Sequence, residues 1–285
     1  MSHRAVLITG VSTGIGKATA QYLMNKGYPV IGSVRKEEDA AQLSAEYPNL
    51  FHTVIFDVRN EEQIQSAVRI VEKITNGEGL GALINNAGVA VSGPMQYVKS
   101  EYMRYQMDVN VHGLISVTQS FLPLLGAQNG SPYPPGRLIN VSSVSGRLTR
   151  MMMGPYSASK YAVEALSDAW RRELSLFGIK VVIIEPGPID TEIWEKARSE
   201  EQPYMDTEYG FILEQREKII KQNEEMAISA HKVAQSIYSG LTKKRPKTRY
   251  LVTGKKILIQ SIIKYFPDRW VDYLFTMPMR KANKK

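Results

Sequence analysis

The chain predicts an α/β fold, a doubly wound parallel sheet with helices on both faces, on three observations. Short β-branched runs alternate with longer amphipathic stretches, the alternation repeats six times without a Pro/Gly-rich linker, and a glycine-rich turn joins the first run to the first helical stretch. The strands are expected at 5–9, 29–34, 51–56, 80–84, 137–141 and 180–184, and the helices at 14–26, 37–47, 61–75, 100–125 and 156–176. Residues 128–136, with three prolines, read as a surface loop, because proline neither continues a helix nor pairs in a central strand. A single domain over 1–285 follows, with two additions. A polar helical insertion at 192–229, carrying Trp194 and Met205, sits after the sixth strand where lids are placed, and a basic amphipathic helical extension occupies 254–285 behind a last strand at 248–253.

Composition narrows the chemistry. The 285 residues are 43% hydrophobic and 22% charged, and no apolar run approaches the ~18 residues of a bilayer span. Met1 leads into the first apolar segment at Ala5 with no room for a targeting peptide, so a cytoplasmic protein is expected, free or peripheral to a membrane. Cysteine is absent, which removes disulfides and thiolate chemistry, and four scattered histidines make no metal site. The formal net charge of +8 is unevenly spread: residues 243–285 hold 13 Lys/Arg against Asp268 and Asp272, leaving 23 basic and 26 acidic residues elsewhere. A near-neutral body without a recognition motif argues against nucleic acid as a partner.

The glycine-rich segment Thr9-Gly10-Val11-Ser12-Thr13-Gly14-Ile15-Gly16 lies between the first strand and the first helix. Glycines there permit the turn and let backbone amides and the helix N-terminus approach a pyrophosphate. Gly10, Ser12, Thr13, Gly14, Ile15 and Gly16 are therefore expected to bind a dinucleotide on a Rossmann-type sheet. In an NAD site an acid at the end of the second strand would accept hydrogen bonds from the ribose 2′-hydroxyl. Val34 stands in that place here and Arg35 follows, a cation suited to a 2′-phosphate, which favours NADP(H). Asp57 and Val58, closing the third strand, are candidates for the adenine, although an Asp there also caps helices.

Tyr156 and Lys160 stand four residues apart at the head of a helix, so their side chains share one face. A free phenol, with a pKa of about 10, is almost wholly protonated at neutral pH, and an adjacent ammonium together with a cationic nicotinamide would favour the phenolate. Lowering that pKa by ~3 units corresponds to about 4 kcal/mol and would suit acid/base catalysis.

The company of this pair resembles the short-chain dehydrogenase/reductase family. Residues 9–16 match its TGxxxGIG motif, Asn85-Asn86-Ala87-Gly88 its NNAG motif, and Tyr156-Ser157-Ala158-Ser159-Lys160 its YxASK motif. Asn110 matches the helix asparagine and Ser143, thirteen residues before Tyr156, the active-site serine. Pro186-Gly187-Pro188-Ile189-Asp190-Thr191 matches the segment that clasps the nicotinamide, and the match runs in order over about residues 4–191. The resemblance implies that Tyr156 exchanges the proton with the substrate oxygen and that Ser143 hydrogen-bonds the same oxygen. It implies that Lys160 binds the nicotinamide ribose and that Asn110 holds a water linking that lysine to solvent. Asn86, Ala87, Gly88, Pro186, Gly187, Ile189 and Thr191 would join Tyr156 and Lys160 around the cofactor. Ser143 is chosen over Ser142 on spacing alone. A homodimer or homotetramer is expected on the same ground.

Within the family, Arg35 and the Ser12-Thr13 pair resemble NADP(H)-using members acting on hydroxysteroids and retinoids. Met151, Met152 and Met153 suggest a soft apolar wall for a hydrophobic, steroid-, retinoid- or lipid-like alcohol or ketone, with ordinary core methionines as the alternative. Two other functions compete: a catalytically silent NADP-sensing or scaffold protein, and a 3-oxoacyl thioester reductase. Residues 257–275 are apolar but studded with Lys264, Arg269 and Trp270 and broken by Pro267. They suit a membrane interface, a cover over the substrate pocket, or a subunit contact.

Overall fold

The computed structural model describes residues 3–190 and 204–282. Thr191, Trp194 and the first part of the expected insertion lie outside the described residues. Seven strands form one sheet: β1 (Val6–Thr9), β2 (Val30–Val34), β3 (Phe51–Ile55), β4 (Ala82–Asn85), β5 (Arg137–Val141), β6 (Lys180–Pro186) and, after a two-stranded ladder, β9 (Arg249–Val252). Their order is β3-β2-β1-β4-β5-β6-β9 and every pairing is parallel, which is the Rossmann-type arrangement. The order reverses beside β1, so the crevice for a ligand opens at the carboxyl ends of β1 and β4.

Successive strand residues point to opposite faces, and both faces are buried. Val6 and Ile8 of β1 join Ile84, Ile139, Val182 and Ile184 in one core, while Leu7 joins Ile31, Leu83, Leu138 and Val181 in the other. The first core is closed by α1 (Gly14–Met24) through Ala20 and Leu23; the second is closed by α3 (Glu61–Ile74), α5 (Gly113–Phe121) and α6 (Gly154–Glu173) through Val71, Phe121 and Val163. Only the short α2 (Ala41–Glu46) comes between α1 and α3.

Three departures from the sequence expectation matter. The helix expected over 100–125 is not continuous: α4 (Ser100–Met107) passes into a π-turn at Asp108–His112 before α5 begins, and Gly113 N–H bonds the Asp108 carbonyl five residues back. Such a bulge widens one turn without ending the helix, so hydrophobic periodicity does not reveal it. A helix at Ala230–Thr242 was not anticipated, although Val233, Ile237 and Leu241 recur every fourth residue; it packs beside α1 in the first core. Thirdly, a parallel ladder of β7 (Ile189–Asp190) and β8 (Ile228–Ser229) closes the neck of the insertion. Within it lie α7 (Gly210–Leu213) and α8 (Arg216–Met226); the helix at Ala230–Thr242 is then α9. Beyond β9, Pro267 divides the extension as expected, into α10 (Lys256–Tyr265) and α11 (Asp268–Ala282).

Candidate active site

The glycine-rich turn is built to keep an anion site open. A Cβ on Gly16 would lie 2.0 Å from the Gly10 carbonyl oxygen and 2.5 Å from Asn86 Nδ2, so the start of α1 can approach the turn only as glycine. Asn86 Nδ2 donates to the carbonyls of Thr9 (2.9 Å) and Gly10 (2.8 Å), and the amides of Asn86 and Ala87 both donate to Thr9 Oγ1. Thr9, which sequence reasoning gave no role, thereby locks the β1 exit to the β4 exit. Thr13 occupies the N-cap of α1 but makes no capping bond, and no acid stands in the first turn. The helix amides are thus left for an external anion, which fits a dinucleotide pyrophosphate. Ser12 and Gly14 lie in this turn, whereas Ile15 turns its side chain onto the first core.

Past β2, Arg35 is exposed, and its guanidinium has no hydrogen-bond or salt-bridge partner among the described residues. Asp57, past the neighbouring β3, is committed instead to Arg59, with contacts of 2.7 and 3.1 Å, and this pairing, with a smaller contribution from the charge of Arg35, holds its carboxyl below the usual range. A paired carboxylate repels a phosphate less than a free one, so the neighbourhood of Arg35 also fits a 2′-phosphate. Val58 packs on the second core, close to Gly113 of α5.

The chemistry gathers where β4, β5 and β6 end. Tyr156, in the first turn of α6, is partly buried, and Lys160 Nζ lies 5.8 Å from its ring centre while donating to the Val141 carbonyl at 2.9 Å. A Cβ on Gly88 would come within 3.2 Å of Asn110 Oδ1 and 3.7 Å of Lys160 Nζ, which puts these three residues in one cluster. Ser143 Oγ accepts from the Ser145 amide at 3.1 Å and lies 3.4 Å from the Pro186 carbonyl, beside Tyr156. Ser142 faces the Lys160 carbonyl instead, so the geometry separates the two serines that spacing alone had ranked.

Asn110 sits inside the π-turn with both ends of its amide engaged: Oδ1 accepts from Val89 N–H at 2.8 Å, and Nδ2 donates to the Val89 carbonyl and to Ser159 Oγ, each at 3.0 Å. Gln106, one turn earlier on the same face, repeats the pattern with Val91 N–H and the Val89 carbonyl. The pair pins the chain after Gly88 as a strand neighbour would. Gln106 and Ser159 escaped the sequence reading, though the four-residue spacing from Asn110 was a usable signal.

Electrostatics correct one expectation. Burial pushes the Tyr156 hydroxyl above its ordinary pKa, and the Ser143 hydroxyl only partly opposes this. Burial brings the Lys160 ammonium down to about 8, against the upward pull of Glu164 one turn further along α6. The side chains alone therefore do not make the tyrosine acidic, because the dry site that gives Lys160 leverage also penalises a phenolate. A nicotinamide cation would have to supply the remaining charge. Behind Lys160 lies an ion cluster around two buried glutamates that sequence reasoning missed: Arg249 contacts Glu164 (2.9 Å), Asp168 (3.1 Å) and Glu185 (3.4 Å), and Arg147 contacts Glu185 (3.2 Å). Its members come from four distant segments, so no local pattern announces it.

Pro186 ends β6, the Gly187 amide bonds the Val252 carbonyl, and Ile189 is buried at the neck of the insertion. The methionine segment lies next to the insertion. Met152 adopts a left-handed backbone (φ +65°) and its carbonyl accepts from Gly93 N–H, whose Cα faces the Tyr204 ring. Tyr97 bonds Glu208, and Arg150 bonds Asn223 of α8 at 3.1 Å. The described part of the insertion is thus docked on both segments that border the site.

The short chain dehydrogenase family profile matches residues 4–202. The chain belongs to that family. It is accordingly an oxidoreductase, and the family supplies the frame for its site. An NADPH-dependent 3-dehydrocapnine reductase of Ornithobacterium rhinotracheale is 44% identical over 282 residues, 99% of each chain. Retinol dehydrogenase 16 of Mus musculus is 34% identical over 296 residues, covering all of this chain and 91% of its own. Among solved structures, a short-chain dehydrogenase from Streptomyces avermitilis shares the fold with a TM-score of 0.78 at 26% identity, covering 99% of this chain and 98% of its own.

Proposed function

We propose that this oxidoreductase uses NADP(H) to interconvert a secondary alcohol and a ketone, or a related alcohol and carbonyl, on a hydrophobic substrate, working as a reductase. The observation that carries the reading is the convergence of Tyr156, Ser143 and Lys160 at the carboxyl edge of the sheet, across the crevice from an unpaired Arg35. A nicotinamide cofactor, when bound, would supply or accept the hydride. Tyr156 Oη donates its proton to the carbonyl oxygen as negative charge develops there, and Ser143 Oγ donates a hydrogen bond to the same atom. Lys160, held by the Val141 carbonyl, keeps a cation 5.8 Å from the centre of the tyrosine ring and would bind the ribose of the cofactor. Arg35 would hold the 2′-phosphate. Asn110 positions the loop that carries Gly88.

The substrate side rests on the methionines and the docked insertion, which acts as a lid contributing Tyr204, Met205 and Tyr209. The likeness to the 3-dehydrocapnine reductase over nearly all of both chains supports NADPH as donor and makes 3-dehydrocapnine the first compound to offer, with retinal second. The test is a pair of measurements on Tyr156→Phe. NADPH fluorescence titration should give wild-type affinity, while turnover of the reducible ketone falls by about 10³. Equal turnover in the variant would sink the assigned chemistry, and wild-type protein that does not bind NADPH would sink the cofactor.

A further inference from the structure

The extension leaves part of its apolar surface uncovered: on α10, Ile259, Ile262 and Ile263 are half-buried, whereas Ile257 and Leu258 are exposed. A surface helix normally lays its apolar stripe on the core. Here α10 has no buried residue, and Ile257 is 84% exposed with Leu258 and Tyr265 beside it on the same outward side. The stripe continues through Phe266, Trp270, Tyr273 and Leu274, spaced i, i+4, i+7 and i+8, with the Phe266 and Trp270 rings in edge contact at 5.9 Å. Seven of the fifteen large hydrophobics that stand exposed among the described residues fall in these eighteen positions. Scattered exposed apolar residues need no explanation, but a contiguous aromatic and aliphatic patch does.

The charge around the patch identifies its partner. The segment 243–285 has 13 Lys/Arg against two Asp, whereas the rest of the chain is slightly acidic. Beneath α10 lies a hollow of about 260 Å³ bordered by Arg147, Glu185, Arg249, Lys247, Lys256 and Lys264. Its two arginines are spent on Glu185, but the three lysines have no salt-bridge partner among the described residues. Apolar and aromatic side chains flanked by lysines that have no carboxylate partner among the described residues match a surface whose apolar interior lies under anionic headgroups. A second copy of this chain would bring the same dense positive charge against itself.

We infer that α10 and α11 form an interfacial docking element for an anionic lipid bilayer, lying in the plane of the surface. No helix among the described residues is long and apolar enough to cross a membrane, so contact from one side is the geometry available. The two short helices joined at Pro267 supply the apolar depth through Ile257, Leu258, Phe266, Trp270 and Leu274. The far helix also packs against α7 of the insertion, which places the docked surface beside the lid. Transfer of a hydrophobic substrate from the bilayer to the site follows only if the function proposed above holds; the docking does not depend on it.

The experiment is co-sedimentation of the full chain with vesicles of phosphatidylcholine alone or mixed with phosphatidylglycerol, at low and high salt. Binding should require phosphatidylglycerol and fall as salt rises, and the double variant Ile257→Glu/Trp270→Glu should lose at least about ten-fold in apparent affinity. Trp270 emission, taken as the difference between wild type and Trp270→Phe, should shift to the blue on binding. Unchanged NADPH binding by the double variant separates failure of docking from failure of the enzyme. Wild type that stays in the supernatant with anionic vesicles, or a double variant that sediments like wild type, overturns the inference. So does a stable dimer that the double variant breaks into monomers without affecting sedimentation.

Discussion

Helices α1 and α10 are nearly equal in length, at eleven and ten residues, and each carries several large apolar side chains, yet α1 buries five residues and α10 none. The difference lies in what surrounds them. On α1, Ala20 and Leu23 meet β-branched residues of the parallel strands, and α9 closes over its flank, while its first turn is left bare for an anion. On α10, Ile259, Ile262 and Ile263 are only half-covered, and Ile257 and Leu258 stand exposed. An apolar period states that a face needs cover; it does not say whether the cover is the chain's own sheet or something outside it.

The largest test of that contrast is truncation within α1. Leu23 is fully buried, so Leu23→Ala leaves a cavity and should lower the unfolding free energy by about 2–5 kcal/mol in a denaturant titration. A loss below ~1 kcal/mol would mean that the first core is far looser than its burial indicates. Next in size is the pH response of Lys160, whose pKa falls from 10.5 to about 8 on folding. Below pH 8 the ammonium is charged in both folded and unfolded chains, and its burial cost is present in full. Between 8 and 10.5 the folded chain binds fewer protons than the unfolded one, so stability rises with pH, by up to roughly 3 kcal/mol. In Lys160→Met this rise should be missing; the same pH slope in both proteins would show that the lysine is not the titrating group. Smaller still, Arg35→Ala should weaken NADPH by about ten-fold or more, near 1.4 kcal/mol, and leave NADH almost unchanged. An unaltered ratio would remove Arg35 from the 2′-phosphate.

Legibility in the sequence follows the range of the interaction. Strands β1 to β6 and the glycine turn were readable because each depends on neighbours within a few residues: β-branched runs, turn glycines and four-residue spacings. The π-turn at Asn110 was not, since one extra residue in a turn leaves composition untouched. The cluster of Arg147, Glu164, Glu185 and Arg249 was invisible because it exists only once β6 and β9 are paired. Tyr156 and Lys160 stand between these cases. Their shared face could be read directly, but the direction of the tyrosine shift depends on burial, which spacing does not carry. Asp57 runs the other way: its pairing with Arg59 is local, two residues along the chain, and was still missed.

The smallest expected effect is the one that separates the possible covers of α10. Leu258 is 53% exposed, so Leu258→Ala removes few contacts within the chain and should change unfolding free energy by no more than about 0.5 kcal/mol. If a second copy covered this face, the residue would be buried in the assembly and the folded chain would be stabilised by association. Melting temperature would then rise with protein concentration, and Leu258→Ala would lower it most where the protein is concentrated. With a lipid surface as the cover, Leu258→Ala leaves the dependence of melting on concentration in plain buffer the same as in wild type. Only added anionic vesicles then tell the wild type from the variant. Thermal melts at concentrations about two orders of magnitude apart, with and without such vesicles, make the distinction, because mass action acts on a protein partner in buffer and on a bilayer only when lipid is present.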